Sequence, residues 1–220
     1  AETPNEIIGV IAHEAGHIAG GHQQKLRDQL ERAKTMAIIA TLLGAGAIAA
    51  GAATNSRGLA GAGMGVAAGG GEMAQRSILA YQRTEEMTAD RSAITYLNAT
   101  GQSGMGMLKT FHRFQTALSL SGAQVDPYRI SHPMPQDRIA NLEVLVKQSP
   151  YVDKTDPPAL QQRHDMMRVK IAGYMDCQAA ASRLIRKMPG SRAAQEGDAQ
   201  ATYLFGDSAT ALAKTNALIK

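Results

Sequence analysis

The sequence predicts a mainly α-helical protein with a large N-terminal domain and a short helical tail. Three observations support this fold class. A helix-capping pattern at Thr3–Glu6 precedes apolar residues at helical spacing, helical periodicity returns over residues 72–99, and residues 160–219 contain four further helical segments separated by short turns. The Asp- and Pro-rich stretch Pro150–Pro158 is the expected domain boundary. We therefore expect a domain over residues 1–149, a linker over 150–158 and a tail over 159–220.

The composition sets broad limits on function. The 220 residues carry a net charge of +4, but Lys and Arg are scattered without interleaved aromatic residues, so nucleic-acid binding is not expected. The single cysteine, Cys177, excludes an intrachain disulfide. No signal peptide precedes the first capped helix, which leads us to expect a trimmed or mature chain.

The first helix is expected to run from Pro4 to about Lys34, although Gly20-Gly21 weakens its middle. Its apolar residues recur at helical spacing and should form one core-facing stripe. The predicted stripe consists of Ile7, Ile8, Ile11, Ala15 and Ile18.

An H-E-x-x-H sequence, His13 to His17, lies on this helix. His13 and His17 are one turn apart, so both imidazoles can bind one metal ion. Glu14 lies on the flank of that face, where its carboxylate can take a proton from a water molecule that the metal activates. The same pattern also arises by chance, so a third ligand is needed to support it. His22 falls off the ligand face and is interpreted as an ordinary solvated histidine.

Residues 36–71 form a Gly- and Ala-rich insertion in which Arg57 is the only charged residue. The uncharged run Met36–Ala53 has a length that is borderline for a membrane span. Three interpretations remain open: a spanning hairpin, a surface segment that dips into a bilayer, or a mobile lid packed on the domain. The small transfer free energy of Gly and Ala favours the last two.

A second long helix is predicted over residues 72–99, with Gly101 as its stop. One face of it carries Leu79, Arg83, Glu86, Asp90, Ala93 and Leu97. Glu86 and Asp90 are thus an acidic pair inside a core-like stripe, where two carboxylates need a charge partner. Glu86 suits the third, anionic ligand of a zinc ion, and Asp90 suits an acceptor for a histidine N–H. The alternative is an exposed face that forms salt bridges with Arg83.

Two shorter helices should follow, at Gly104–Leu120 and Gln136–Lys147. The first would turn Leu108, Phe111, Phe114 and Leu118 to the core. His132, in the intervening loop, precedes a proline that favours an extended backbone. From its position it is either a plain loop histidine or a cleft residue that stabilises an oxyanion or takes the metal's open position. Arg138 could pair with Glu86 or Asp90.

The tail is predicted to form helices at residues 160–175, 178–187, 193–205 and 208–219. The stretch Tyr203–Asp207, followed by Ala-Leu, looks like the turn of a tetratricopeptide repeat, of which at most about one and a half units are present. The tail is therefore either a protein-binding surface or plain helical support.

Three motifs in this order resemble a known enzyme family. They are H-E-A-G-H at residues 13–17, R-T-E-E-M-T-A-D at 83–90 and S-H-P-M-P-Q-D-R-I at 131–139. Together they look like the gluzincin zinc metallopeptidases of the HtpX and CAAX-prenyl-protease kind, and most like the soluble bacterial periplasmic members of the BepA type, which carry a C-terminal tetratricopeptide-repeat region. The resemblance covers residues 4–147. It implies a zincin-like catalytic domain, and the β-sheet that family members place before the zinc helix is expected to be missing here.

The resemblance also implies roles for individual residues. It makes His13, His17 and Glu86 the ligands of one zinc ion. It makes Glu14 and His132 the catalytic residues and places Asp90 and Arg138 behind the ligands.

By the same resemblance, the chain would be a zinc metalloendopeptidase of the bacterial periplasm with peripheral membrane contact. Its substrates would be proteins or peptides, including misfolded envelope proteins. Two alternatives remain: a chaperone or assembly factor that keeps the zinc mainly for structure and holds clients with its tail, and a membrane-embedded protease.

Overall fold

A computed structural model describes residues 1–120, 132, 136–175, 182–183 and 185–219, and helices contain most of them. The helices are α1 (Pro4–Gly20), α2 (His22–Ala53), α3 (Arg57–Ala99), α4 (Met105–Leu120), α5 (Gln136–Lys147), α6 (Pro158–Met175), α7 (Arg192–Phe205) and α8 (Ser208–Ile219). No strand occurs within the described ranges. The mainly α-helical class with a helical tail is therefore confirmed.

The core lies between α1, the C-terminal half of α3, α4 and α5. Its buried members are Ala12, Ala93, Ile94, Leu97, Met107, Leu108, Phe111, Ile139, Leu142 and Val146. Helix α1 meets its neighbours through small residues. A Cβ atom on Gly9 would lie 2.6 Å from the Cβ of Met107, and one on Gly16 would lie 2.9 Å from the carbonyl oxygen of Ala89. The absence of side chains at these positions allows α3 and α4 to pack closely on α1.

The predicted isoleucine stripe of α1 is wrong. Ile11 is 61% exposed and Ile18 is 81% exposed, and only Ile8 packs against the edge of the core. The buried face instead carries Gly9, Ala12, His13 and Gly16, which recur at the same helical spacing. Close helix contact, rather than side-chain size, decides which face of α1 is buried.

The helix expected over Pro4–Lys34 is two helices. Helix α1 ends at Gly20, and Gly21 adopts a left-handed conformation with φ of 62°, which glycine adopts without steric cost. The Gly21 amide contacts the carbonyls of His17 and Ile18, as in a helix C-cap. The chain therefore changes direction before α2 begins at His22.

Helices α2 and α3 form a long antiparallel hairpin. Helix α3 begins at Arg57, earlier than the expected start at residue 72, because the Gly-rich segment is helical and packs on α2. A Cβ atom on Gly44 would lie 2.5 Å from the carbonyl oxygen of Gly63, and one on Gly63 would lie 2.5 Å from that of Gly44. Small residues thus fill the contact, while the large apolar side chains point outward. Those more than half exposed are Met36, Ile38, Leu42, Leu43, Met64 and Met73.

One described helix, α2, is long and apolar enough to cross a membrane. Its most apolar window of 18 residues has a mean hydropathy of 2.0, and only 11% of that window is buried. This finding is compatible with each of the three interpretations of residues 36–71.

The remaining helices follow their expected bounds closely. Helix α5 has the expected limits, and α4 begins one residue later than expected. In the tail, α7 packs on α6, where Gly197 lies against Val169, and Asp207 accepts a hydrogen bond from the amide of Thr210 at the start of α8. The loop expected over residues 121–132 lies outside the described residues except for His132, and so does half of the helix expected over 178–187. Residues 182, 183 and 185–187 of that helix are described and are helical.

Candidate metal centre

Four side chains from three parts of the chain converge on one point. They are His13 and His17 of α1, Glu86 of α3 and His132, and one possible ligand atom of each lies within 4.8 Å of the others. The Nε2 atoms of His13 and His17 are 3.1 Å apart. The Glu86 carboxylate lies 3.4 Å from each of these two atoms.

These separations fit a single zinc ion. Bonds of about 2.0–2.1 Å in a tetrahedral arrangement place neighbouring ligand atoms about 3.3 Å apart. The three distances between His13, His17 and Glu86 lie close to that value. Two imidazoles and one carboxylate are also a donor set that zinc prefers. The residues present therefore fit a zinc ion.

Asp90 and Arg138 lie directly behind these side chains. Asp90 Oδ1 is 3.0 Å from His13 Nδ1, the ring nitrogen on the other side of the imidazole from the Nε2 that faces His17 and Glu86. Arg138 donates two parallel hydrogen bonds of 2.8 Å to Asp90, and its Nη1 lies 2.7 Å from Glu86. Its guanidinium also lies over the ring of Phe111, and only 1% of the Arg138 surface is exposed. One buried arginine thus compensates both buried carboxylates.

Burial and neighbouring charge act in opposite directions on these groups. Burial alone would raise the pKa of Glu86, but hydrogen bonds from His13, His132 and His17 and the charge of Arg138 hold that pKa well below its usual range. Burial alone would lower the pKa of His13, yet Asp90 and Glu86 outweigh it and raise the pKa. The Glu86 carboxylate is therefore ionised at neutral pH, as a metal ligand must be.

Glu14 and His132 line the opening of the site. The Glu14 side chain is 41% exposed, and its Oε1 lies 3.7 Å from His132 Nε2. His132 Nδ1 lies 2.9 Å from Glu86 Oε1. A cavity of about 310 Å³ opens beside them and continues between the first turns of α2 and the facing part of α3. It is lined by Leu26, Leu30 and Tyr81 together with the charged side chains of the site.

The structure brings together all seven residues that the sequence indicated. It also shows two that the sequence reasoning missed. His22 was expected to be solvated but is only 5% exposed, with its Nδ1 2.9 Å from His17 Nδ1. Glu85, the second of these residues, lies 2.7 Å from His22 Nε2. Burial lowers the pKa of His22 more than Glu85 raises it, so this histidine is neutral at pH 7.

Sequence comparison agrees with the geometry. Residues 1–146 match the family described as peptidase family M48. The chain belongs to peptidase family M48. The matched segment contains the whole cluster and ends one residue before the end of α5. M48 peptidases are metal-dependent proteases, which agrees with the cluster of His13, His17, Glu86 and His132.

A relative extends the similarity into the tail. The chain is 26% identical over 192 residues to a protein of Vibrio cholerae serotype O1 that is named a beta-barrel assembly-enhancing protease. The match covers 86% of this chain and 34% of the relative, so the chain spans about a third of the relative's length. No solved structure matches the chain.

Proposed function

We propose that this M48 member is a zinc-dependent metalloendopeptidase. The observation that carries the proposal is the convergence of His13, His17 and Glu86 beside the exposed carboxylate of Glu14. Two imidazoles and one carboxylate, with a further position open, are a donor set of catalytic zinc sites. We assign one zinc ion per chain to these three ligands.

Glu14 is the proposed general base. A bound zinc ion lowers the pKa of water to about 7 and polarises the substrate carbonyl. Glu14 accepts the proton of the attacking water and passes it to the leaving amine, a role that requires a carboxylate within reach of the cleft and outside the ligand set. Its partial exposure at the mouth of the cavity meets both requirements. Asp90 holds the His13 ring, and Arg138 supplies the positive charge that pairs with Asp90 and Glu86.

His132 is the second proposed catalytic residue. Its imidazole lies between the proposed base and a proposed ligand, 3.7 Å from Glu14 and 2.9 Å from Glu86. In one role it donates a hydrogen bond to the oxyanion of the tetrahedral intermediate. In the other, which its membership of the four-residue cluster favours, it would be a further ligand of the metal in the resting enzyme. His132→Ala separates the two roles, because kcat falls in the first and activity rises in the second.

The proposed setting is the bacterial periplasm. The relative from Vibrio cholerae is named for enhancing the assembly of β-barrels, which supports envelope proteins as substrates and quality control as the task. We propose that misfolded envelope proteins are cleaved in the cavity between α2 and α3. A surface with Leu26, Leu30 and Tyr81 suits extended chains with exposed apolar side chains.

The helical tail supports a second candidate function. Helices α7 and α8 pack as a pair, joined at Gly206 and Asp207 as in the turn of a tetratricopeptide repeat. In this alternative the chain is a chaperone or assembly factor that holds clients with its tail while zinc has a structural role. Glu14→Gln distinguishes the two, because it removes only the general base.

Residues 36–71, which we call the hairpin arm, form the third part of the proposal. The arm continues the helix whose residues Leu26 and Leu30 line the cavity, and it exposes apolar side chains such as Leu42 and Leu43. We propose that it contacts a membrane surface close to the active site. A lid that closes over the cavity and a fully membrane-embedded protease are the alternatives.

The first experiment is zinc stoichiometry by elemental analysis, together with hydrolysis of an unfolded protein substrate. We expect near one zinc per chain in the wild type and in Glu14→Gln, and much less in Glu86→Ala. Activity should fall by about 10²–10⁴ in Glu14→Gln. Wild-type protein without zinc after reconstitution would contradict the site, and unchanged activity in Glu14→Gln would contradict the catalytic assignment.

A further inference from the structure

The two proposed histidine ligands differ in what holds them from behind. The rear nitrogen of His13, Nδ1, faces the Asp90 carboxylate at 3.0 Å. Among the residues that the structure describes, no carboxylate lies at that distance from the rear nitrogen of His17, which lies 2.9 Å from Nδ1 of a third histidine, His22. The other nitrogen of His22 lies 2.7 Å from Glu85 Oε2. A chain of contacts thus leads from Glu85 through His22 to His17.

The residues of this chain of contacts are largely shielded from water. His22 is 5% exposed, and the Glu85 side chain is 15% exposed. The rings of His17 and His22 are nearly perpendicular, at 89°, with centroids 4.9 Å apart. This edge-on arrangement points one ring nitrogen toward the other ring, so the contact is a directed nitrogen pair rather than ring stacking.

The backbone between α1 and α2 is shaped to place His22 there. Gly21 adopts the left-handed conformation that ends α1, so the side chain of His22 returns toward His17. Gly20 leaves room for the ring, because a Cβ atom on Gly20 would lie 2.1 Å from His22 Nε2. Two adjacent glycines therefore allow the His22 imidazole to lie beside His17. A solvated histidine would not require this backbone arrangement.

The contacts between His17, His22 and Glu85 fit one assignment of the ring protons. If His17 Nε2 binds a metal ion, that nitrogen carries no proton, so the proton of His17 is on Nδ1. Nδ1–H can then donate to His22 Nδ1, which must be unprotonated to accept. A ring with an unprotonated Nδ1 carries its proton on Nε2, which in His22 is the nitrogen that faces the Glu85 carboxylate. In this assignment His17 Nδ1 and His22 Nε2 carry the protons, and they lie 2.9 Å from a ring nitrogen and 2.7 Å from a carboxylate oxygen.

We propose that His22 and Glu85 are positioning residues that fix the orientation and tautomer of His17 for zinc binding. The inference rests on the proposed zinc site and adds residues that lie outside its ligand set. Hydrogen-bonding partners behind a metal-binding histidine typically change metal affinity by about 10–100-fold.

The test is zinc affinity, measured by competition with a chromophoric chelator at fixed pH. His22→Phe keeps the ring volume but removes the acceptor, and we expect its zinc dissociation constant to rise by about 10–100-fold. His22→Asn places an amide oxygen near the position of Nδ1 and should recover much of the loss. Glu85→Gln keeps an acceptor without the charge and should have a smaller effect. The matched control is His112→Phe, because His112 also contacts a glutamate, Glu143 at 3.3 Å, but on an exposed surface.

A second readout separates positioning from simple packing. Urea unfolding of the zinc-free proteins reports whether His22→Phe or Glu85→Gln merely weakens the fold. In the zinc-loaded wild type, long-range ¹H–¹⁵N correlation of the imidazoles should show His22 neutral with its proton on Nε2.

The outcomes are distinct. An unchanged zinc dissociation constant in a folded His22→Phe protein, or a His22 proton on Nδ1, would overturn this inference while the zinc site stands. Should His22→Phe not fold, an unchanged constant in Glu85→Gln would overturn the role of Glu85 and with it the chain of contacts. A wild type that binds no zinc would overturn the proposed function itself.

Discussion

Arg138 and Asp90 form a bidentate pair in the interior, with Nε and Nη2 of the arginine each 2.8 Å from a carboxylate oxygen. The same guanidinium contacts Glu86 through Nη1. Removing it leaves two buried carboxylates without their common cation, and removal of one partner from a buried ion pair typically costs about 3–5 kcal/mol. We therefore predict that Arg138→Met lowers the free energy of unfolding of the zinc-free protein by that amount in a urea titration.

Arg138→Lys should recover only part of this loss, because an ammonium group cannot form the bidentate contact. The control is Arg91→Met on the exposed side of the same helix as Asp90, for which we expect a change within about 0.5 kcal/mol. A loss below about 1 kcal/mol in Arg138→Met would contradict the assignment of Arg138 as the shared cation of Asp90 and Glu86.

The environment of Glu6 predicts how the stability of the fold changes in acid, independently of the metal site. Its side chain is fully buried, which alone would raise its pKa. Hydrogen bonds from Arg113 and from the Glu2 amide, together with the charges of Arg113 and Lys109, instead hold the pKa of Glu6 below its ordinary value of 4.5. A carboxyl group with a lowered folded-state pKa stabilises the fold above its unfolded-state pKa, and this contribution is lost as the pH falls through the folded-state value. The stabilisation should therefore be complete near pH 7 and decline below about pH 4.5.

Urea unfolding as a function of pH tests this prediction. Glu6→Gln should be less stable than the wild type by about 1–3 kcal/mol at pH 7, and the difference should shrink in acid. Glu2→Gln is a suitable control, because Glu2 also contacts Lys109, at 3.4 Å, but its side chain is exposed. A Glu6→Gln deficit that stays constant from pH 7 to pH 3 would show that packing, and not charge, is responsible.

Most of the candidate site could be predicted from the sequence because its residues are set by local helix geometry. His13 and His17 are one turn apart on α1, and Glu86 and Asp90 are one turn apart on α3, so each pair is fixed once its segment is helical. Their meeting in space was inferred from chemistry, since two neutral histidines need an anionic third ligand. The resemblance to a family supplied His132, which periodicity alone left undecided.

The features that were missed depend on contacts between helices. The apolar stripe of α1 was assigned by side-chain size, but Gly9 and Gly16 mark the buried face because α3 and α4 approach there. His22 was placed by continuing one helical period through Gly20-Gly21. A glycine pair that can end a helix makes that extrapolation invalid, and this was the signal that could have identified His22. Residues 57–71 have a low helix propensity, so the sequence alone does not indicate that they form a helix that packs against α2.

The contact between Gly44 and Gly63 predicts opposite effects for two alanine substitutions in one helix. Gly44→Ala would bring its Cβ to 2.5 Å from the Gly63 carbonyl, so α2 and α3 must separate, at a cost of about 1–3 kcal/mol. Gly46→Ala has open space around its Cβ and should stabilise α2 by up to about 1 kcal/mol through helix propensity. Hydrogen exchange of the amides in residues 36–71 would measure both effects. Equal protection in the two variants would contradict the close hairpin contact.

The hairpin arm predicts binding to lipid bilayers. Its 18 uncharged residues in α2 span about 27 Å, close to the thickness of a hydrocarbon core of about 30 Å. Leu42 and Leu43 are 67% and 65% exposed, and burying each in lipid would contribute about 1.5–3 kcal/mol. We predict that the wild type floats with vesicles of phosphatidylethanolamine and phosphatidylglycerol, and that replacing both leucines by Asp weakens binding at least about 10-fold.

The matched control replaces exposed apolar residues of the tail, Leu212 and Ile219, by Asp, which should leave flotation unchanged because neither lies in the arm. Extraction distinguishes the depth of insertion. Release of the bound protein by alkaline carbonate indicates surface contact, whereas release only by detergent indicates a spanning hairpin. If the arm variant instead binds vesicles like the wild type but shows a changed KM for an unfolded protein substrate, the arm is a lid over the cavity, because Leu26 and Leu30 of the same helix line that cavity.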